Sequence, residues 1–216
     1  KFKLSMSHSK RKNNQILQQH HTTEKNLKAG MDKQKMNFKL TKTVLSLLLI
    51  FLLALTLRII AAYNIDPGTD EIIYSVMGLD FISSGQLSTI GQIPLYFYTL
   101  DVIYKVFGLE VWTMRLLNIA LGSLATLLLF LIGKELFNKK IGLLSAFLFA
   151  VSSFAIINNT ESDMASIFFA LISFLFFIRG FKEQKYFYLS ITFLGIAYLF
   201  KEIALLLLPA YLIYFG

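Results

Sequence analysis

Acidic side chains stand at the ends of two apolar segments of this chain. Asp70 and Glu71 follow the first long apolar run, and Asp163 directly precedes a later one. If the apolar runs cross a membrane in alternation, all three carboxylates reach the same side and could converge on one site. The alternative interpretation is that they are hydrated loop and cap residues, with Asp163 capping its helix and Asp66 starting a turn before Pro67.

Basic side chains fall on the same side of the predicted membrane. Arg115 lies at the start of the second apolar run and Lys201 lies between two later runs, and either could hold a phosphate group. A planar guanidinium binds phosphate through two hydrogen bonds, whereas an ammonium acts as a point charge. Alternatively, Arg115 and Arg58 extend to lipid headgroups, and Lys201 forms a local ion pair with Glu202.

Several other chemistries have no support in the sequence. The 216 residues contain no cysteine, which excludes disulfides, thiolate zinc sites and cysteine nucleophiles within them. His8, His20 and His21 lie in a basic N-terminal arm without acidic or cysteine partners, which argues against a histidine metal site. The chain contains no phosphate loop, dinucleotide-binding glycine motif or serine-hydrolase elbow.

The composition is that of a membrane protein, because 56% of the residues are hydrophobic and only 16% are charged. The first apolar run is long enough to cross a bilayer core of roughly 30 Å, and it is longer than the apolar region of a cleaved signal peptide. Because the chain begins at Lys1 and stops inside its last apolar run, we expect it to be part of a longer protein. We predict six spans, near residues 43–63, 112–133, 141–158, 164–178, 186–200 and 203–216.

The charges of the connecting segments predict the orientation. Residues 1–42 form a polar arm with 11 Lys and Arg residues, which we predict to be disordered and cytoplasmic. Together with the loops at 134–140 and 179–185, this arm holds 17 of the 21 basic residues. Residues 64–111 carry six acidic residues against one lysine, so we expect them to form a large loop on the outer face.

A second helix-forming pattern lies within this outer loop, over residues 94–108. Several aromatic residues occur there together with one Asp101–Lys105 pair at helical spacing, which predicts a helix lying at the membrane interface. We expect Pro94 to begin this helix and Gly108 to end it.

The landmarks follow one another in an informative order. After the acidic pair come "PLYFY", "FGLEVWTMRLLNIALG", "ESDMASIFFAL" and finally "GIAYLFKEIALLLLP". This order resembles the N-terminal half of the membrane-embedded GT-C glycosyltransferases. The similarity covers about residues 43–216 and is closest to dolichyl-phosphate-mannose protein mannosyltransferases and bacterial aminoarabinose transferases. It implies an all-α, polytopic transmembrane bundle with interfacial helices in a large outer loop between the first two spans.

The resemblance also assigns site residues. The family's catalytic acidic pair falls on Asp70 and Glu71. Its substrate-binding positions fall on Tyr74, Pro94, Tyr96, Arg115, Asp163 and Lys201, and its glycine before the lysine falls on Gly195. The sequence departs from the family at Gly91, where a histidine is common, and at Phe200, where Thr or Ser usually precedes the lysine.

The resemblance implies transfer of a sugar from a polyprenyl-phosphate donor to an acceptor hydroxyl of a protein or cell-envelope glycolipid, on the outer face of the plasma membrane. Asp70 would be the general base and Glu71 would orient it or a neighbouring cation, while Arg115 or Lys201 would stabilise the departing phosphate. Asp163 would bind the acceptor, orient a base or help to hold a divalent cation. No further cofactor and no nucleic-acid partner are expected. The alternative is a membrane transporter or lipid flippase, which predicts charges at mid-membrane and inverted repeats, and the sequence has neither.

Overall fold

The structure is a computed structural model, which describes residues 42–84, 95–108, 110–157 and 163–215. All regular structure in these ranges is helical, as predicted. The helices are α1 (Lys42–Asn64), α2 (Thr69–Ser84), α3 (Leu95–Phe107), α4 (Val111–Leu136), α5 (Lys139–Ala150), α6 (Ser153–Ile157), α7 (Asp163–Gly180), α8 (Lys185–Phe200), a 3-10 helix (Glu202–Leu207) and α9 (Leu208–Phe215).

Among the described residues, three helices are long and apolar enough to cross a membrane, namely α1, α4 and α7. α8 is also apolar, but its 16 residues extend over roughly 24 Å, less than a bilayer core of roughly 30 Å. The run at 141–158 contains most of α5 and all of α6, and the run at 203–216 contains most of the 3-10 helix together with α9. The all-α membrane bundle is thus confirmed, and the number of six spans stays a prediction.

Local chemistry explains two of the helix ends. Gly108 follows α3 with a φ of 89°, a conformation that glycine adopts without strain, and its N–H donates to the Tyr104 carbonyl at 2.9 Å. This confirms the predicted end of α3. Between α4 and α5, the side-chain oxygen of Asn138 accepts from the backbone N–H groups of Lys140 and Ile141 at 2.9 and 3.1 Å, which caps α5.

The bundle is built around α4, which packs against both α5 and α7, and α7 packs in turn against α8. Where α4 and α5 cross, a Cβ added at Gly142 would lie 2.5 Å from the carbonyl oxygen of Phe130. A Cβ added at Gly133 would lie 2.8 Å from the Cα of Gly142. Glycine at both positions therefore allows the two backbones to touch, as small residues do in many membrane helix pairs.

Side chains of α2, α3, α4, α7 and α8 meet in one buried group, here called the aromatic cluster. Its buried members are Tyr74, Tyr96, Phe97, Leu100, Tyr104, Met114, Ala165 and Phe200. The predicted helix α3 contributes Tyr96 and Phe97 to this cluster and leaves Tyr98, Val102 and Val106 exposed. The predicted Asp101–Lys105 pair is also present, at 2.7 Å. α3 thus has one face packed on the bundle and one apolar face outside it.

Arg58 of α1 lies inside the bundle, so the interpretation that it extends to lipid headgroups is wrong. Its side chain is fully buried, and Nη1 donates to the Ala54 carbonyl at 3.0 Å. The guanidinium carbon lies 5.5 Å from the centroid of the Phe149 ring, which allows a cation–π contact. Nε lies against Gly122, where an added Cβ would be only 2.7 Å away. Protein groups of α1, α4 and α5 thus surround this cation.

Candidate active site

Glu71, in the first turn of α2, and Arg115, the fifth residue of α4, form a buried ion pair. Arg115 Nε donates to Glu71 Oε1 at 2.6 Å, and Nη2 donates to Oε2 at 2.9 Å. Each side chain is only 5% exposed. The N-terminus of α2 further favours the negative charge of Glu71 through the helix dipole. Glu71 is therefore not a hydrated loop residue, and Arg115 does not extend to lipid headgroups.

Arg115 also binds the C-terminal end of α1. Its Nη1 donates to the backbone carbonyls of Ala62 and of Ile65, the latter at 3.0 Å. Helix ends leave such carbonyls without intrahelical partners, so the guanidinium satisfies groups that would otherwise need water. With the two bonds to Glu71, these contacts use four of the five N–H donors of an arginine. Arg115 thus joins the end of α1 to the starts of α2 and α4.

Buried tyrosines lie next to this pair. The Tyr96 hydroxyl forms a hydrogen bond with the side chain of Asn118, a residue of α4 that is fully buried. Burial raises the pKa of Tyr96 well above its ordinary value, and the hydrogen bond with Asn118 opposes this rise. Burial and, to a lesser extent, the charge of Glu71 raise the pKa of Tyr104 to about 12. Both hydroxyls therefore stay protonated at neutral pH and can donate hydrogen bonds without acting as bases.

A second ion pair joins the start of α7 to the end of α8. Lys201 Nζ lies 2.5 Å from Asp163 Oδ1, and the two side chains are 25% and 14% exposed. The interpretation of Lys201 as the ion-pair partner of Glu202 is therefore wrong, because its partner is Asp163, 38 positions earlier in the sequence. Lys201 itself has an extended backbone that separates α8 from the 3-10 helix. The hydroxyl of Ser166 donates to the carbonyls of Ala197 and Lys201 at 3.0 and 3.2 Å, which closes the end of α8.

The two ion pairs border the same aromatic cluster. Tyr74, one turn after Glu71, belongs to this cluster, and its ring centroid lies 5.9 Å from that of Tyr96. Ala165, two residues after Asp163, and Phe200, which directly precedes Lys201, belong to it as well. The cluster thereby links both ion pairs at the end of the bundle where α4 and α7 begin. Phe200, which departs from the family pattern, has a packing role there, since its ring stacks on Phe169 with centroids 5.3 Å apart.

Two of the predicted site residues, Asp70 and Pro94, lie partly or wholly outside the described part of the structure. Asp70 is the second residue of α2, but its side chain lies outside the described part of the structure, and Pro94 lies outside the described residues. Among the described residues, no group of three or more histidine, aspartate or glutamate side chains could hold a metal ion. The predicted catalytic and substrate-binding roles therefore stay predictions.

Sequence reasoning missed Asn118, which binds Tyr96, and Ser166, which binds the Lys201 carbonyl. Asn118 follows Arg115 by three residues within an apolar helix, and Ser166 follows Asp163 by the same interval. Residues three apart lie on the same helix face. A polar residue one turn after a charged one, inside an otherwise apolar helix, was the signal that could have identified both.

An apolar groove of about 280 Å³ lies beside the second ion pair, between α7 and the 3-10 helix. Its walls include Ala170 and Phe174 of α7 together with Ile203 and Leu207 of the 3-10 helix. Ser166 lines it at the end nearest Lys201, because its hydroxyl binds the Lys201 carbonyl. The groove thus has apolar walls, with the Ser166 hydroxyl and the backbone of Lys201 at one end.

Comparison with known proteins identifies one family. The family model described as dolichyl-phosphate-mannose-protein mannosyltransferase matches residues 92–215, more than half of the chain. The matched range includes Tyr96, Arg115, Asp163 and Lys201, and the acidic pair of α2 precedes it. No curated protein and no solved structure gives a significant match.

Proposed function

Because the chain belongs to the dolichyl-phosphate-mannose-protein mannosyltransferase family, we propose that it is a membrane glycosyltransferase that uses a polyprenyl-phosphate sugar. The acceptor is a hydroxyl group of a protein or a glycolipid, and transfer occurs on the outer face of the plasma membrane. The family match supports the donor class, and the acidic outer loop supports the side of the membrane.

The observation that carries this proposal is the convergence of two ion pairs on one end of the bundle. The Glu71–Arg115 pair fixes the first turn of α2, in which Asp70 immediately precedes Glu71. The Asp163–Lys201 pair lies at the same end, across the aromatic cluster. A carboxylate and a cation on each side of this cluster suit a reaction between a hydroxyl and a lipid-linked phosphate.

In the proposed reaction, Asp70 accepts the proton of the acceptor hydroxyl as its oxygen attacks the anomeric carbon. The new bond joins that oxygen to the anomeric carbon, while the bond from this carbon to the donor phosphate oxygen breaks. The electron pair of the broken bond stays on the phosphate, and polyprenyl phosphate leaves. A cation placed near that oxygen lowers the barrier, because negative charge develops there in the transition state.

The contacts divide the two cations between different tasks. Arg115 is 5% exposed and already binds Glu71 and two carbonyls, so we assign it a positioning role. Lys201 is 25% exposed, and its ammonium group is a compact point charge with three N–H donors. We therefore assign the phosphate of the donor to Lys201, with Asp163 orienting its ammonium group.

The apolar groove beside Lys201 gives the donor's isoprenoid chain a place to lie. A chain in that groove would bring its phosphate to the groove end near Ser166 and Lys201. Apolar contacts along the chain and one charged contact at its head would then orient the donor relative to α2.

The test is sugar transfer from a radiolabelled polyprenyl-phosphate mannose by membranes that contain the full-length protein. Asp70→Asn should abolish transfer, because an amide cannot accept the hydroxyl proton. Asp66→Asn is the matched control, since Asp66 is exposed in the turn before α2 and should be dispensable. Full transfer by a folded Asp70→Asn protein would remove Asp70 from the mechanism. Movement of an intact solute or lipid across the membrane, without transfer by the wild type, would instead support a transporter or flippase.

A further inference from the structure

The ends of α4 and α7 opposite the candidate site carry a cluster of basic residues. Residues 134–140 and 179–185 comprise the last residues of these two helices, the turns that follow and the first residues of the next helices, and they contain six basic residues against two acidic ones. Both turns are polar at the point where a candidate membrane span finishes. This cluster is called the basic platform below.

One carboxylate holds the two turns together. Glu135 Oε1 accepts from Arg179 Nε and Nη2 at 3.3 and 3.2 Å, and Oε2 accepts from Lys182 Nζ at 3.0 Å. The second acid, Glu183, lies 2.5 Å from the ammonium of Lys185. Because Glu135 links α4 to the turn after α7, the two basic turns form one surface.

The remaining lysines of the platform point away from the protein. Lys134, Lys139 and Lys140 are exposed at the end of α4 and the start of α5. Each turn also carries an exposed aromatic ring beside its lysines, with Phe137 69% and Phe181 53% exposed. Exposed phenyl rings flanked by lysines at the end of a membrane span match the chemistry of a bilayer surface, where rings enter the acyl boundary and ammonium groups bind phosphates.

We propose that the basic platform is a binding surface for anionic phospholipid headgroups. The exposed lysines bind the headgroup phosphates, the two phenyl rings contact the upper part of the acyl chains, and Glu135 keeps both turns at the same depth. The proposal does not depend on the reaction that the opposite end of the bundle performs.

The test measures binding of dioctanoyl phosphatidylglycerol and dioctanoyl phosphatidylcholine to the full-length protein in an uncharged detergent, by native mass spectrometry. The wild type should prefer the anionic lipid, and rising salt should weaken that preference. The triple variant Lys134→Gln/Lys139→Gln/Lys140→Gln should bind the anionic lipid more weakly than the wild type, by roughly fivefold for each lysine that it lacks. The matched control is Lys105→Gln, an exposed lysine of α3 outside the platform, which should leave binding unchanged.

Two further measurements separate the outcomes. Lys139→Gln alone keeps the test valid if the triple variant does not fold. Glycerol phosphate, which has a phosphate and no acyl chain, should bind far more weakly than the lipid. The proposal is overturned if the wild type binds both lipids equally, or if Lys105→Gln loses as much binding as the triple variant. It is also overturned if glycerol phosphate competes as strongly as the lipid does.

Discussion

Arg115 binds both carboxylate oxygens of Glu71, at 2.6 and 2.9 Å, across 44 positions of sequence. The same guanidinium binds the carbonyls that end α1. The position of Asp70 therefore depends on a contact made by its neighbour, because Glu71 fixes the first turn of α2 relative to α4. This relationship makes Arg115 a positioning residue in the proposed mechanism.

Glu71→Gln should strongly destabilise the protein, because it leaves the Arg115 guanidinium buried without an opposing charge. Removing one partner of a buried ion pair costs about 3–5 kcal/mol. Glu135→Gln removes a carboxylate that is 20% exposed and binds more accessible cations, so its cost should be below about 1 kcal/mol. Unfolding in detergent, followed by circular dichroism, measures both. Equal stability losses in the two variants would contradict the structural importance assigned to the Glu71–Arg115 pair.

Lys201→Met should lower kcat for sugar transfer by roughly 10²–10³, the effect of removing one group that stabilises charge in a transition state. Lys201→Arg should recover part of the activity, because it keeps the positive charge. Lys105→Met provides the control, since Lys105 is an exposed lysine paired with Asp101 in α3. An unchanged kcat in a folded Lys201→Met protein would contradict the assignment of the donor phosphate to Lys201.

Gly142→Ala should destabilise the bundle by about 1–3 kcal/mol, because the new methyl group would meet the backbone of α4. The matched control is Gly195→Ala in α8, where an added Cβ has no atom within 4 Å. That change should be neutral or stabilise by up to about 1 kcal/mol, since alanine is the better helix former. Thermal unfolding of both variants checks the expectation. A Gly142→Ala protein as stable as the wild type would show that α4 and α5 can separate at no cost.

The predicted orientation can be measured directly, because these 216 residues contain no cysteine. A single cysteine at Asp66, in the turn between α1 and α2, should react with a membrane-impermeant maleimide on intact cells. A cysteine at Glu183, whose side chain is 55% exposed in the basic platform, should react only after the membrane is permeabilised. The reverse pattern would place the candidate site on the cytoplasmic side.

The sequence by itself determined the helical membrane bundle, the end of α3 at Gly108 and the residue types of the site. Long apolar runs at bilayer length allow only helices or closed barrels in lipid, because backbone polar groups must be satisfied internally. The positions of Asp70, Glu71, Asp163 and Lys201 at the ends of such runs were equally visible. The GT-C resemblance, carried by the order of these landmarks, agrees with the family match over residues 92–215.

Only the tertiary structure decided which charged groups meet. Arg115 binds Glu71 instead of headgroups, Lys201 pairs with Asp163 instead of Glu202, and Arg58 is enclosed by the bundle. Such pairings depend on the rotation of each helix about its axis and on the neighbours it packs against, which apolar periodicity specifies only coarsely. A charge inside the bundle has no water to solvate it, so it binds whichever protein group the packing brings within reach.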